Sequence, residues 1–223
     1  MEEYPFGPEE VLMMKGGRAD EVEQRLLNYY VSAKASADPE RLRTAITCLA
    51  HFYGLPFKKD LQKAEHYLQE GLRTLPDAQS ALRLVYFCYL TLSDPRRTLE
   101  AVARLRALTV EDASKDLRFL YTAVGVEGLA HLALGEEQDA INNLEELLDL
   151  ATRKPPRVVF GDELSFLEQM ATRGLAGRTG KLLFDIARAH ACREEFMERD
   201  EKFRERYDEL ARSQGWDAHH GGL

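Results

Sequence analysis

Apolar positions along this chain recur three and four residues apart almost from end to end. That is the period of helices with one buried face. Polar breaks between the periodic stretches carry helix-start chemistry, chiefly Asp or Ser beside Pro. Asp20 opens a helix running to about Ala37, and Asp38 with Pro39 opens the next. Asp60 opens a third, closed near Leu75 and Pro76, and Asp77 a fourth to about Leu92. Ser93, Asp94 and Pro95 open a fifth, and Asp112 or Ser114 a sixth ending at Gly135. A seventh covers 136–152, an eighth starts at Asp162 and ends near Gly174, and a ninth runs from Thr179 or Gly180 to about Cys192. A tenth covers roughly 194–213, and a short helical turn at 9–15 precedes them all. The one β-branched run is Val158, Val159 and Phe160, after Pro155 and Pro156.

About ten helices joined by short turns predict an all-α fold of antiparallel helical hairpins. Hairpins recurring every 34–40 residues are the mark of a repeat array. The organisation expected is an arm or short helix at 1–18, repeats over 19–152 and a loop at 153–161. A C-terminal hairpin with a capping helix follows at 162–213, then a disordered tail at 214–223.

The sixth and seventh helices carry the sharpest motif. Gly128 is followed by His131, then Gly135 in the turn, then Ala140, Leu144 and Leu147. This resembles a tetratricopeptide repeat, with small residues where two helices of a hairpin touch; on that reading Gly128 faces Ala140. The pair at 38–75 is looser, with Ile46, Leu49, Ala50 and Tyr53, then Ala64, Leu68 and Gly71. Its longer turn, ending in Asp60, is similar to the Sel1-like variant. The pair at 77–108 is looser still. The resemblance implies a right-handed superhelical solenoid in which the first helices of successive pairs line a concave groove for a peptide or partner helix. Read onto this chain, it places Thr44, Thr47, His51, Gly54 and Leu55 in that groove. From the second pair it adds Ser80, Arg83, Phe87, Leu90 and Thr91, and from the third Thr122, Gly125, Leu129, Leu132 and Ala133. Arg83 is the one cation among them, so a carboxylate clamp of several basic residues is not expected.

Composition narrows the class further. The 223 residues are 44% apolar and 30% charged, too apolar for a disordered tail, and no apolar run approaches a membrane span. The net charge of −8 disfavours nucleic acid as a partner. Four acids lie in residues 1–10 and six in 136–149, so the acidity is local. Within the latter, Glu136, Glu137 and Asp139 suit a helix N-terminus. Glu145, Glu146 and Asp149 form a solvent-side acidic face suited to a basic partner segment. Cys48, Cys88 and Cys192 are widely spaced and read as buried thiols of a reducing compartment. The acidic N-terminus shows no signal-peptide pattern, which makes the cytoplasm the expected location.

Candidate chemistry is sparse. Gly174 to Leu182 resembles a phosphate loop only in glycine content; Leu175 and Leu182 stand where Gly and Ser or Thr are needed. Glu127 and His131 share a helical face and could share a proton if both were buried. No metal-ligand spacing links the six histidines, so no metal and no cofactor are expected. The tenth helix carries a narrow stripe of Phe196, Phe203, Tyr207 and Leu210. It reads as a capping helix, with a homodimer seam as the alternative. The expected function is a non-catalytic interaction module, an adaptor, scaffold or chaperone-like subunit. A peptide-sensing regulatory subunit is the alternative, and an all-α enzyme stands third.

Overall fold

A computed structural model describes residues 7–56, 58–109, 117–153, 161–191 and 201–216. Among these residues the chain is all-α, with no strand. The eleven α-helices are α1 Pro8–Lys15, α2 Ala19–Ala35, α3 Pro39–Gly54, α4 Leu61–Thr74, α5 Ala78–Tyr86 and α6 Pro95–Thr109, then α7 Leu117–Leu134, α8 Glu137–Arg153, α9 Gly161–Thr172, α10 Gly177–Ala191 and α11 Glu201–Gln214. A π-helical turn, Phe87–Leu92, continues α5. The β-branched run at 158–160, the sixth-helix start at Asp112 or Ser114, Cys192, Phe196 and the tail from 217 lie outside the described residues. So does the side chain of Phe203.

Helix starts follow local chemistry. The Asp38 carboxylate accepts from the amides of Glu40 (3.0 Å) and Arg41 (3.3 Å), with Pro39 at the first helical position. Asp60 accepts from Lys63 N at 3.1 Å, and Asp77 from Ser80 N at 2.8 Å. Each such cap is worth about 1 kcal/mol, because it satisfies an amide with no partner in its own helix. Gly135 closes α7 in the left-handed region at φ +78. Ser93, at φ +51, ends the π turn, where the Asp94 amide reaches back to the Cys88 carbonyl at 3.1 Å. The wider π turn is a local departure from the continuous α-helix that periodicity predicts over this stretch.

The chain divides into two compact units, Met1–Asp94 and Pro95–Leu223. The division falls inside the stretch 19–152 that sequence groups as one repeat region. In the first unit each helix packs on the next, from α1 to α5. Its core holds Val22, Leu26, Leu49, Phe52, Tyr53, Ala64, Leu84 and Val85, with the side chains of Cys48 and Cys88 buried among them. Gly71 of α4 admits Ile46 of α3; a Cβ there would lie 3.0 Å from the Ile46 Cγ2. The Tyr53 and Tyr67 rings stack at 5.8 Å, and Tyr30 meets Tyr67 edge-on at 5.5 Å. Around these rings, Tyr53 donates to Glu23 (2.7 Å), Lys58 bridges Glu23 (2.7 Å) and Asp20 (2.8 Å), and Lys34 pairs with Glu70 at 2.8 Å.

In the second unit α7 contacts α6, α8 and α9, while α8 contacts α10, and α9 contacts α10 and α11. Gly128 marks the α7–α9 crossing. A Cβ there would fall 2.3 to 2.7 Å from three ring atoms of Phe166, which is fully buried. The close approach that this glycine permits is therefore to the Phe166 ring of α9. Tyr207 and Leu210 of the α11 stripe are buried in this unit, with Tyr207 5.5 Å from the Phe184 ring and Arg206 bound to Glu168 at 3.0 and 2.6 Å. These two stripe residues already have apolar cover within their own chain.

Candidate functional site

The groove residues expected on α3 and α5 converge on one cavity of the first unit, of about 380 Å³. It is lined by Thr47, His51, Gly54 and Leu55 from one row and by Arg83, Phe87, Leu90 and Thr91 from the other, with Ala50, Leu68 and Tyr86 between them. Both rows step by three and four residues, so each is one ridge of a helix surface. The π turn contributes Phe87, Leu90 and Thr91. Thr44 is half-buried on α3 and Ser80 is buried at the start of α5; neither lines the cavity.

The lining grades from a covered floor to an open rim. Ala50, Leu68 and Phe87 are buried, Thr47, Leu55 and Arg83 are half-buried, and His51 and Thr91 are exposed. Leu90 is 64% exposed, a large apolar side chain held out at the rim. Arg83 and His51 are the basic residues of the lining, and no Asp or Glu lines it. Arg83 Nη1 donates to the Arg43 carbonyl at 3.3 Å, which ties its guanidinium to the α3 backbone. Arg43, itself buried, pairs with Glu40 and Asp77. Burial alone would raise the Asp77 carboxyl, but the Ser80 amide and the Arg43 guanidinium outweigh it and hold the carboxyl below its ordinary value. With Ser80 and Arg83, Arg43 borders a second void of about 10 Å³, the size of one water.

The third expected row is placed differently. Thr122, Leu129 and Leu132 of α7 are 2%, 3% and 1% exposed, so they are core of the second unit and offer no open wall. The physical reason is the cover of α7 by α6, α8 and α9 together. Gly125 is buried too, and Ala133 is exposed.

The acidic face of α8 is likewise divided. Glu145 and Asp149 are exposed, whereas Glu146 is half-buried and accepts from Arg106 of α6 at 2.7 and 2.8 Å. Arg106 also donates to Glu127 of α7 (2.9 Å from Nε), whose carboxylate accepts from Asn143 of α8 at 3.0 Å. One guanidinium thus ties three helices. Burial would lower the Arg106 pKa, but the two carboxylates outweigh it and raise it. Glu127 is therefore a partner of Arg106 and Asn143. His131 turns instead to Glu136, with Nδ1 2.7 Å from Oε2. Glu127 and His131, which share a helical face, thus make separate contacts, one with Arg106 and Asn143 and the other with Glu136.

Sequence spacing does not point to one further grouping. His131, Glu136 and Asp139 bring ligand-type atoms within 4.8 Å of one another across the α7–α8 turn. The carboxylates are exposed and sit at the start of α8, where the helix dipole favours acids without any ion. The glycine-rich segment at 174–182 is a helix-to-helix turn. Gly174 (φ +72) closes α9, its amide bonded to the Ala171 carbonyl at 2.9 Å, and Gly177 (φ +49) opens α10. Among the described residues, no helix is long and apolar enough to cross a membrane. No family model, curated protein or solved structure matches this chain.

Proposed function

We propose that this protein is a non-catalytic, tetratricopeptide-like interaction module whose cavity in the first unit seats a helical segment of a partner protein. One observation carries the reading: eight of the ten positions that the tetratricopeptide resemblance implies for these two rows line a single cavity of about 380 Å³ with an apolar floor and an open rim. A cleft between two helical ridges is the natural seat for a third helix. The contacts of α7 with α9 and of α8 with α10 join corresponding helices of successive hairpins, which supports stacked repeats. The second unit, with its α7 row covered, serves as the scaffold.

The test is affinity capture with wild-type protein and with Leu90→Asp, both tagged. Leu90 is largely exposed, so the charge leaves folding intact and spoils only the rim. A partner recovered by the wild type and absent with Leu90→Asp supports the groove. Identical recovery by both proteins contradicts it.

A further inference from the structure

The second unit brings one imidazole and two carboxylates together where α7 turns into α8. We propose that His131, Glu136 and Asp139 hold a divalent first-row transition ion of the zinc type across this turn. The site is independent of the groove in the first unit.

The donor atoms are already gathered. One from each side chain lies within 4.8 Å of the other two, and His131 Nδ1 stands 2.7 Å from Glu136 Oε2. Bonds of about 2.0–2.2 Å to one tetrahedral ion put its donors about 3.3 Å apart, so these spacings bracket what an ion needs. Glu136 and Asp139 are exposed and have room to adjust, whereas His131 is half-buried and supplies the fixed point. The backbone holds that point. Gly135, at φ +78, turns the chain, and the Glu136 amide bonds back to the His131 carbonyl at 2.9 Å.

Charge argues the same way. Two carboxylates this close repel each other, and among the described residues neither pairs with a Lys or Arg. The α8 dipole tolerates acids here but contributes only a partial charge. A divalent ion neutralises both carboxylates at once. The polar seam between α7 and α8 continues one turn on, where Asn143 donates to Glu127 at 3.0 Å. Asn143 is 6% exposed, and its Oδ1 has no hydrogen-bond partner among the described residues. A buried acceptor calls for a donor, and a hydrated ion brings O–H groups to this seam. The donor set selects the ion. One nitrogen and two carboxylate oxygens suit zinc, cobalt or nickel, whereas magnesium and calcium take oxygen ligands and more of them. Three protein donors leave a further position to water. Bound there, the ion clasps the hairpin at its turn.

The experiment uses the full chain carrying His219→Gln and His220→Gln, which removes the adjacent histidines as a competing ligand pair. Chelator-treated protein is titrated with zinc chloride by calorimetry and with cobalt(II) by visible absorption. The expected result is one zinc ion per chain, with cobalt(II) absorption bands that zinc abolishes. His131→Gln, Glu136→Gln and Asp139→Asn should each weaken binding about tenfold or more. Glu145→Gln, at an exposed acid elsewhere on α8, should leave it unchanged. Saturating zinc should raise the melting temperature of the parent chain and leave that of Asp139→Asn where it was. Should His131→Gln lose its helical circular dichroism, Asp139→Asn, at an exposed position, decides the matter. Zinc binding of undiminished strength in folded Asp139→Asn and Glu136→Gln marks an adventitious ion only and overturns the proposal. Failure to bind zinc at one ion per chain overturns it too, as does magnesium or calcium binding as tightly as zinc.

Discussion

Replacing Gly128 with Ala adds one methyl group to the α7–α9 crossing, and the structure decides the sign of the effect. In an exposed helix interior Gly→Ala stabilises by about 1 kcal/mol, through backbone entropy and helix propensity. Here the new Cβ would stand 2.3, 2.6 and 2.7 Å from the Cζ, Cε2 and Cε1 of Phe166, where ordinary contact begins at 3.4 Å. The ring must retreat by about 1 Å, and it is fully buried, with Leu164 and Leu167 of its own helix equally enclosed. Overpacking of this kind costs about 1–3 kcal/mol, and a triple overlap against a ring without room belongs at the upper end. The net expectation is a loss of about 2 kcal/mol, or roughly 6 °C in melting temperature for a unit of this size. Urea denaturation followed by circular dichroism measures it, in a cycle with Phe166→Leu. In the Phe166→Leu background the same Gly128→Ala change should be neutral or stabilising, because the overlap is gone while the propensity gain of about 1 kcal/mol remains. A higher denaturation midpoint for Gly128→Ala alone would refute the assignment of this glycine to the Phe166 ring.

Other changes test the remaining parts of the architecture. Gly71→Ala should be much milder, within about 1 kcal/mol, since the Ile46 methyl stands at 3.0 Å and has its own freedom to move; the same denaturation assay reads it. Arg106→Ala should cost about 2–3 kcal/mol, because it strands the carboxylates of Glu127 and Glu146, and Arg106→Lys should recover only part of that, having no fork. Asp77→Ala removes both the α5 cap and a partner of the buried Arg43, for about 2–3 kcal/mol, and Asp77→Asn should keep part of the cap. Stability against pH follows from Glu23, Glu70 and Asp77, all held below their ordinary values. Burial pushes each upward but is outweighed, by Lys58 and Tyr53 for Glu23, by Lys34 and Tyr30 for Glu70, and by Ser80 and Arg43 for Asp77. Their contribution is complete above the ordinary carboxylate values of 4.5 and 3.8 and drains away as pH falls through the depressed ones. Denaturation midpoints should therefore drop on acidification below that range, and Glu23→Gln should flatten the drop.

Much of this fold is legible in the chain because its signals are local. Asp38, Asp60 and Asp77 announce helix starts through side-chain bonds to amides two or three residues away, and Ile46, Leu49 and Tyr53, spaced three and four apart, do lie on a buried face. The rows Thr47–Leu55 and Arg83–Thr91, which the tetratricopeptide resemblance implies as groove positions, do meet around one cavity. Periodicity says which residues share a face, but not what covers it. The α7 row has the same register, yet Leu129 and Leu132 are core, because α6, α8 and α9 all pack against α7. Gly128 signals a close approach, but Phe166 stands 38 residues away, so the partner in that approach is invisible locally. The spacing of Glu127 and His131 invites a pair, but Arg106 from the preceding helix takes one and Glu136 from the following turn takes the other. The π turn has no propensity signature of its own; it replaces the last part of a stretch that reads as plain helix.

The central claim is that the cavity beside Leu90 is where this protein meets its partner. Site-specific photocrosslinking tests it most directly, with a benzophenone amino acid at Leu90 and, as control, at Leu182, another exposed large apolar residue. One dominant protein adduct is expected from position 90, absent from position 182 and lost when Leu55→Asp is added to the groove wall. Equal adducts from both positions, or an adduct at 90 that survives Leu55→Asp in folded protein, would contradict it.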